Sequence, residues 1–169
     1  MVEIRPIHPN DREDILAFTP NAFEPIFDQW REMLGDNLFE MMFPDWRTLQ
    51  QSHVHTGYDD ESVDGYVALV DGKPAGFTII KLNQEDKVGE IYFLVVHPNY
   101  QNRGVGTALT QFGLNKIRAA GMNYAHVGTG GDPAHAPARS VYEKFGFRSL
   151  PNTLYYLDLT DGLESPSNM

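Results

Sequence analysis

The sequence predicts a mixed α+β fold, in which helices flank a mostly antiparallel sheet. An alternating apolar segment opens the chain at residues 2–7, and three further β-type segments span residues 66–96. Aromatic residues recur at helical spacing between them, over residues 21–52. A buried strand then leads through a glycine-containing loop into a helix near residue 105.

The first third of the chain predicts a short strand followed by a broken helical hairpin. Asn10 or Asp11 can cap a helix that runs to about Phe18. A second helix is indicated by four apolar residues on one face, which are Phe23, Phe27, Trp30 and Leu34. Phe27 and Trp30 either pack on the sheet or line a substrate pocket, and both interpretations remain open.

Residues 53–64 are polar and acidic, and we interpret them as a loop. His53 and His55 would share one face of an extended chain there. Two histidines without an identifiable third ligand are weak grounds for a metal site, so no metal is expected.

The middle of the chain predicts an antiparallel meander of strands at 66–70, 73–82 and 88–96, with a hairpin turn at Asp71-Gly72. The third strand ends with apolar residues on both faces, as expected of a central strand. Its period of two places four side chains on one face, which are Glu90, Tyr92, Leu94 and Val96.

The remaining elements alternate between helix and strand. They are a helix over 105–120, a strand over 123–128, a helix over 136–145 and a last strand over 153–159. One domain over residues 1–160 is expected, with residues 161–169 as a frayed polar tail.

The composition excludes several functional classes. The 169 residues contain no cysteine, which removes disulfides, thiolate nucleophiles and Cys-ligated zinc. The net charge of −10 argues against nucleic-acid binding, because phosphate neutralisation needs Lys and Arg. No apolar run is long enough for a transmembrane helix and the first residues lack a secretory pattern, so a cytoplasmic protein without a membrane partner is expected.

The acidic excess is confined to one part of the chain. Residues 1–64 contain 14 acidic and four basic residues, whereas residues 65–169 are balanced at nine each. These carboxylates either attract a cationic substrate towards a nearby cleft or form a solvated surface.

The loop between the strand at 88–96 and the following helix is typical of an anion site. Gly104 and Gly106 let a ligand approach the backbone at a helix N-terminus, whose unpaired N–H groups favour phosphate. The loop lacks the third glycine of a dinucleotide fingerprint, since residue 109 is Leu, and it lacks the Gly-Lys-Ser/Thr of a P-loop. A G-x-G at a helix start also occurs for tight packing alone.

These motifs resemble those of the GNAT superfamily of N-acetyltransferases. Gln101, Gly104 and Gly106 match the family's Gln/Arg-x-x-Gly-x-Gly/Ala pattern for acetyl-CoA. A second match covers residues 138–147, in which Tyr142 falls on the family tyrosine. The resemblance covers nearly the whole chain. It implies a sheet of about seven strands that splays at the cofactor site, flanked by about four helices.

The resemblance also implies roles for individual residues. Backbone N–H groups of residues 102–107 would hold the CoA pyrophosphate, and residues 94–96 would pair with the pantetheine arm. Tyr142 would protonate the departing thiolate. The implied cofactor-binding residues are Leu94, Val95, Val96, Gln101, Asn102, Arg103, Gly104, Val105, Gly106, Thr107, His135 and Arg139.

The proton acceptor and the acceptor site are less defined. Glu90 occupies a position where several family members carry a glutamate base, or it is a solvated strand-end carboxylate. His135 stands where many members have Asn, and it would contact CoA, assist proton transfer or cap the helix. Asp132 would cap that helix or bind a cationic acceptor.

The resulting prediction is acetyl transfer from acetyl-CoA to a primary amine by direct attack in a ternary complex. A cysteine acyl-enzyme is impossible, since no cysteine is present. The expected acceptor is a small cationic or amphipathic amine. Alternatives are a peptide or protein amine, and a non-catalytic acyl-CoA-binding module on the same fold. The resemblance also allows a homodimer.

Overall fold

A computed structural model describes residues 1–160 and has a mixed α+β fold. Its sheet has five strands in the order β1-β2-β3-β4-β5, antiparallel except for the parallel pair β4 and β5. The strands are β1 (Val2–Pro6), β2 (Val63–Val70), β3 (Lys73–Asn83), β4 (Val88–Val96) and β5 (Tyr124–Val127). The helices are α1 (Arg12–Leu34), α2 (Asp36–Met42), α3 (Trp46–Asp59), α4 (Val105–Ala119) and α5 (Ala136–Lys144).

Helices cover both faces of the sheet. On one face, Ile15 and Phe18 of α1 and Val54 of α3 pack against apolar side chains of β2, β3 and β4. On the other face, α4 buries Val105, Leu109 and Ile117 against the same strands. Removing these apolar surfaces from water is the main driving force for assembling the layers. Within residues 1–160, no helix is both long and apolar enough to cross a bilayer.

The helical region differs from the prediction in two places. The first helix does not end near Phe18, because α1 runs unbroken to Leu34 through Pro20 and Pro25. Residues 53–64 are not a loop, because α3 continues to Asp59. The buried residues of α3 explain this, since Trp46, Gln50, Val54 and Gly57 recur at helical spacing and face the core. His53 and His55 therefore do not share a strand face.

Within residues 1–160 the sheet has five strands, rather than the seven or so expected. Residues 153–159 alternate in apolar character but form no strand, and Leu154, Tyr155 and Leu157 are exposed. An alternating pattern predicts extended backbone but does not specify a partner edge, and within residues 1–160 the sheet ends at β5. The tail predicted to fray, residues 161–169, lies outside the described residues.

An ion pair between a buried carboxylate, Asp11, and a partly exposed guanidinium, Arg5, joins β1 to the turn before α1. Asp11 is 6% exposed and accepts hydrogen bonds from both terminal nitrogens of Arg5, at 2.7 and 2.8 Å, and from the backbone of His8 at 2.8 Å. The hydrogen bond from Arg5 holds the pKa of Asp11 below its ordinary value, although burial opposes the shift.

Replacing Asp11 with asparagine is expected to lower the free energy of unfolding by about 2 kcal/mol at neutral pH, since charge-assisted hydrogen bonds to a buried group are lost. A carboxyl whose folded-state pKa is lowered stabilises the fold above its unfolded-state value of 3.8. This contribution disappears as the pH falls through the folded-state value. Urea titrations of the native chain and of Asp11→Asn, at neutral and at acidic pH, measure the difference in their free energies of unfolding.

Asp59→Asn is the matched control, because Asp59 pairs with Arg12 at 2.8 Å but its side chain is 59% exposed. Its expected cost is below about 0.5 kcal/mol. Equal losses of unfolding free energy in the two variants would contradict a stabilising role for the Asp11 carboxylate. So would a difference between the native chain and Asp11→Asn that persists in acid.

Candidate active site

The parallel strands β4 and β5 separate partway along their length. They pair from Val88 with Tyr124 to Ile91 with Val127. Beyond that point β4 continues to Val96 with β3 alone as its partner among residues 1–160. Backbone groups on one edge of residues 92–96 therefore face a gap in the sheet, which an extended ligand can fill by strand-like pairing.

A β-bulge marks the point of separation. Ile79 pairs with Phe93 and Ile80 with Ile91, so Tyr92 is an extra residue in β4. Tyr92 and Phe93 both lie on the face covered by α1 and α3, whereas Leu94 and Val96 pack on α4. The prediction that Glu90, Tyr92, Leu94 and Val96 share one face is thus wrong, because a bulge reverses the alternation.

The loop after β4 ends at an uncapped helix. Gly104 adopts φ +83°, which a residue with a Cβ rarely adopts, and α4 begins at Val105 without a side-chain cap. Residues 101–104 are exposed, and the guanidinium of Arg103 lies 5.3 Å from the ring centroid of Tyr100. A Cβ at Gly106 would stand 3.5 Å from Val96 Cγ2, between the helix start and the β4 edge. The open edge of β4 therefore lies beside N–H donors suited to phosphate, and we call the strip of surface that joins the two the groove.

Tyr142 has an enclosed ring and an open hydroxyl. The residue is 8% exposed, and its ring packs edge-on against Phe147 with the centroids 5.8 Å apart. Every fully buried polar side-chain atom in residues 1–160 has a partner, and no described residue bonds this hydroxyl, so the oxygen reaches open space. Burial raises the pKa of Tyr142 to about 12, so the phenol keeps its proton at neutral pH.

Glu90 lies on the α1/α3 face of β4, at one side of a polar cleft. Its neighbours Gly89 and Ile91 contact Ile117 of α4, which directs Glu90 the other way. Its side chain is 32% exposed, and its Oε1 lies 3.6 Å from Nδ1 of His126 on β5. The cleft is lined by Lys81, Asn83, Asp86, Val88, Glu90, Tyr124 and His126. Sequence reasoning missed His126, whose only signal is its position opposite Glu90 in the β4–β5 ladder.

The acidic residues of the first third do not line this cleft, whose lining residues all come from residues 81–126. Three arginines of the first third instead pair with carboxylates on a neighbouring helix. These pairs are Arg12 with Asp59, Arg31 with Asp36 and Glu40, and Arg47 with Glu24. Their placement favours the interpretation of a solvated surface.

A hydrogen bond holds the loop between β5 and α5 against α1. Asp132 Oδ2 accepts from Trp30 Nε1 at 3.2 Å and lies 2.6 Å from His135 Nδ1. Burial alone would raise the pKa of Asp132, but hydrogen bonds from Trp30 and His135 leave it below its ordinary value. Asp132 also accepts from the backbone N–H of His135, whereas the His135 side chain caps nothing.

Arg139 and Phe27 are both engaged in structural contacts. Arg139 Nη1 donates to the carbonyls of Gly130 and Asp132, each at 2.6 Å, and so braces this loop. Phe27 is 3% exposed and stacks on Trp46 with the centroids 4.3 Å apart. Phe27 therefore belongs to the core and leaves no surface for an acceptor. Among residues 1–160, no group of three or more His, Asp or Glu side chains could hold a metal ion.

These features define a protein class. The family model described as "Acetyltransferase (GNAT) family" matches residues 27–147, and the chain belongs to this family. The predicted family membership is confirmed.

Several curated relatives are named mycothiol acetyltransferase. The protein from Acidothermus cellulolyticus is 33% identical over 154 residues, which cover 87% of this chain and 45% of that protein. The protein from Nocardiopsis dassonvillei is 28% identical over 167 residues, covering 98% and 48%. The one from Streptomyces avermitilis is 36% identical over 91 residues, covering 54% and 29%. This chain thus spans less than half the length of these relatives.

Solved structures share the fold. The PaiA N-acetyltransferase from Thermoplasma acidophilum, in complex with coenzyme A, is 16% identical with a TM-score of 0.67 and covers 90% of this chain and 93% of that one. A putative GNAT-family acetyltransferase from Desulfovibrio desulfuricans is 20% identical with a TM-score of 0.64, covering 89% and 87%.

Proposed function

We propose that this chain transfers the acetyl group of acetyl-CoA to the amino group of a small molecule. The observation that carries the proposal is the groove that joins the open edge of β4 to the uncapped start of α4. A ligand with an extended amide-containing arm and a pyrophosphate matches the two ends of this groove. CoA has both parts.

In this proposal the N–H groups of residues 102–107 bind the pyrophosphate, with Gln101 and Arg103 beside it. Residues 94–96 pair with the pantetheine arm, and one N–H of this segment polarises the thioester carbonyl. His135 approaches the cofactor from the loop before α5. Arg139 contributes by holding that loop, through its bonds to Gly130 and Asp132.

The proposed reaction needs one proton acceptor and one proton donor. The neutral amine nitrogen attacks the thioester carbonyl carbon, the C–S bond breaks, and CoA leaves as a thiolate. Glu90 removes a proton from the amine, directly or through water, and Tyr142 donates its hydroxyl hydrogen to the departing sulfur. Solvent then returns a proton to Tyr142 and removes the one held by Glu90, which resets both groups. In this proposal both substrates are bound when the acetyl group moves, and an acyl-cysteine intermediate is excluded because the chain has no cysteine.

The cleft beside Glu90 supports a small polar acceptor. Its volume is ≈ 560 Å³, within the ~300–1,000 Å³ of small-molecule sites. Its charged lining residues include both signs, which are the cation Lys81 and the carboxylates Asp86 and Glu90. The curated relatives are named for a small-molecule substrate, which agrees with this class. The aromatic residues expected to favour an amphipathic amine are largely buried in the core instead.

Release of free CoA thiol, measured against a panel of primary amines, tests the proposal. The chain contributes no background to a thiol reagent, because it has no cysteine. Amine-dependent thiol release is expected. Tight CoA binding without amine-dependent release would instead identify a non-catalytic acyl-CoA-binding module.

Gly106→Ala is expected to weaken CoA binding at least about tenfold, because the added methyl stands in the proposed groove and blocks close approach to backbone donors. The free protein should tolerate the change, since the new Cβ meets Val96 Cγ2 at an ordinary 3.5 Å. Isothermal titration with CoA measures the affinity, and thermal unfolding checks the fold.

Acetyl-pantetheine, which lacks the pyrophosphate, provides the control ligand. Its KM should change far less than that of acetyl-CoA. A similar increase for both donors would show that Gly106 does not lie at the pyrophosphate site.

A further inference from the structure

Three side chains that the proposed reaction does not use meet on the Glu90 face of the sheet. The Tyr92 hydroxyl lies 3.2 Å from Nδ1 of His53 on α3. The ammonium nitrogen of Lys81 lies 3.2 Å from the centroid of the Tyr92 ring. The His53 ring stacks on Phe93 at 4.9 Å. Tyr92 is therefore held by a cation over its ring and by a hydrogen bond at its hydroxyl.

Tyr92 stands where the sheet opens. It is the bulged residue of β4, one position after Ile91, the last residue paired with β5. It lies on the same face as Glu90, and Lys81 is the cross-strand partner of Glu90. The phenol and the carboxylate thus face the same side of the point where the gap begins.

His53 is suited to orient this hydroxyl. Burial, together with the charge of Lys81, holds the pKa of His53 below its ordinary value, so the ring is neutral at neutral pH. A neutral imidazole protonated on Nε2 offers Nδ1 as an acceptor. The Tyr92 O–H then donates to Nδ1, and its oxygen keeps lone pairs that can accept a hydrogen bond.

We propose that Tyr92 contacts the acceptor amine and that His53 is the residue that positions its hydroxyl. The inference rests on the proposed function. A neutral primary amine has two N–H bonds and a lone pair. One N–H bonds Glu90, the other bonds the Tyr92 oxygen, and the lone pair is then directed at the thioester. A secondary amine has a single N–H and leaves one of the two groups unpaired, so the site selects primary amines.

The test compares benzylamine with N-methylbenzylamine as acceptors. For the native chain, kcat/KM should favour benzylamine by about tenfold or more, the scale of one unpaired hydrogen-bonding group in a closed site. Tyr92→Phe should remove most of this preference and leave the KM for acetyl-CoA unchanged. A preference that persists in Tyr92→Phe overturns the inference.

Three further variants separate positioning from a loss of structure. His53→Phe keeps a ring against Phe93 but removes the hydrogen-bond acceptor. It should therefore reduce the preference for benzylamine as much as Tyr92→Phe does, and the double variant should reduce this preference no further. His53→Asn restores an acceptor near Nδ1 and should recover part of the preference. Additive losses in the double variant would contradict the coupling.

Tyr58→Phe is the matched control. It removes another half-buried tyrosine hydroxyl, which lies 3.2 Å from the carbonyl of His8, and should leave the preference intact. Equal loss in this control would show a general structural effect and overturn the inference. If neither amine causes thiol release from the native chain although CoA binds, the proposed function fails. If the native chain turns over and Tyr92→Phe keeps the preference for benzylamine, the proposed function stands and this inference alone fails.

Discussion

Tyr142→Phe is expected to lower kcat by about 100-fold while the affinity for acetyl-CoA stays nearly constant, as expected for loss of a group that acts on the leaving sulfur. The substitution removes one oxygen and keeps the ring that packs on Phe147. No described residue loses a hydrogen bond, because the hydroxyl has none to lose. The effect should therefore appear in the chemical step rather than in folding.

The raised pKa of Tyr142 refines this expectation. At a pKa of about 12, the phenol is a weaker acid than a thiol, whose ordinary pKa is about 8.5. Complete proton transfer from the phenol to the thiolate is then thermodynamically unfavourable. The main contribution of Tyr142 is therefore a hydrogen bond to the negative charge that develops on the sulfur. The native enzyme should consequently show no loss of kcat from Tyr142 ionisation below about pH 10.

Tyr66→Phe is the control, since Tyr66 is 7% exposed and also packs edge-on against a phenylalanine, Phe112. Steady-state kinetics and direct titration of CoA are measured for both variants. Equal changes in kcat and affinity, or a similar loss in Tyr66→Phe, would show that Tyr142 is structural.

The groove that we propose for the cofactor has determinants that are local in the sequence, so the sequence could indicate it. The positive φ at the start of α4 favours glycine at position 104. The strand before it is apolar on both faces and is therefore expected to be buried, independently of the rest of the chain. The helix α3 was also encoded, in the spacing of Trp46, Val54 and Gly57, but the polar residues between them favoured a loop. Tertiary burial of one face outweighed that local composition.

The surroundings of Glu90 depended on information that the sequence does not display. The bulge at Tyr92 follows from how β3 and β4 pair, and it decides which side chains join Glu90 on one face. His53 reaches this face only because α3 crosses the sheet. The segment 153–159 shows the converse, since its alternation is plain but no strand within residues 1–160 pairs with it. Pairing and register, rather than pattern, therefore limit prediction of the acceptor side.

Glu90→Gln is expected to lower kcat/KM by about 100-fold at neutral pH, within the range for loss of a general base. Glutamine keeps the length of the side chain and an oxygen that accepts hydrogen bonds, but it takes up no proton. An alkyl ammonium has a pKa near 10.4, so only a small fraction of the amine is neutral at pH 7. The loss should therefore shrink as the pH rises towards 10, where the amine arrives already deprotonated.

Asp86→Asn separates proton transfer from charge. Asp86 lines the same cleft and accepts from Asn83 at 2.8 Å, so its neutralisation removes a comparable charge without removing the proposed base. The loss of kcat/KM in Asp86→Asn should stay below about threefold. It should become smaller still at high salt, because salt screens the interaction between exposed charges. If the two variants lose activity equally, the cleft acts through its charge. If the Glu90→Gln loss stays constant from pH 7 to about 10, Glu90 binds the amine without accepting its proton.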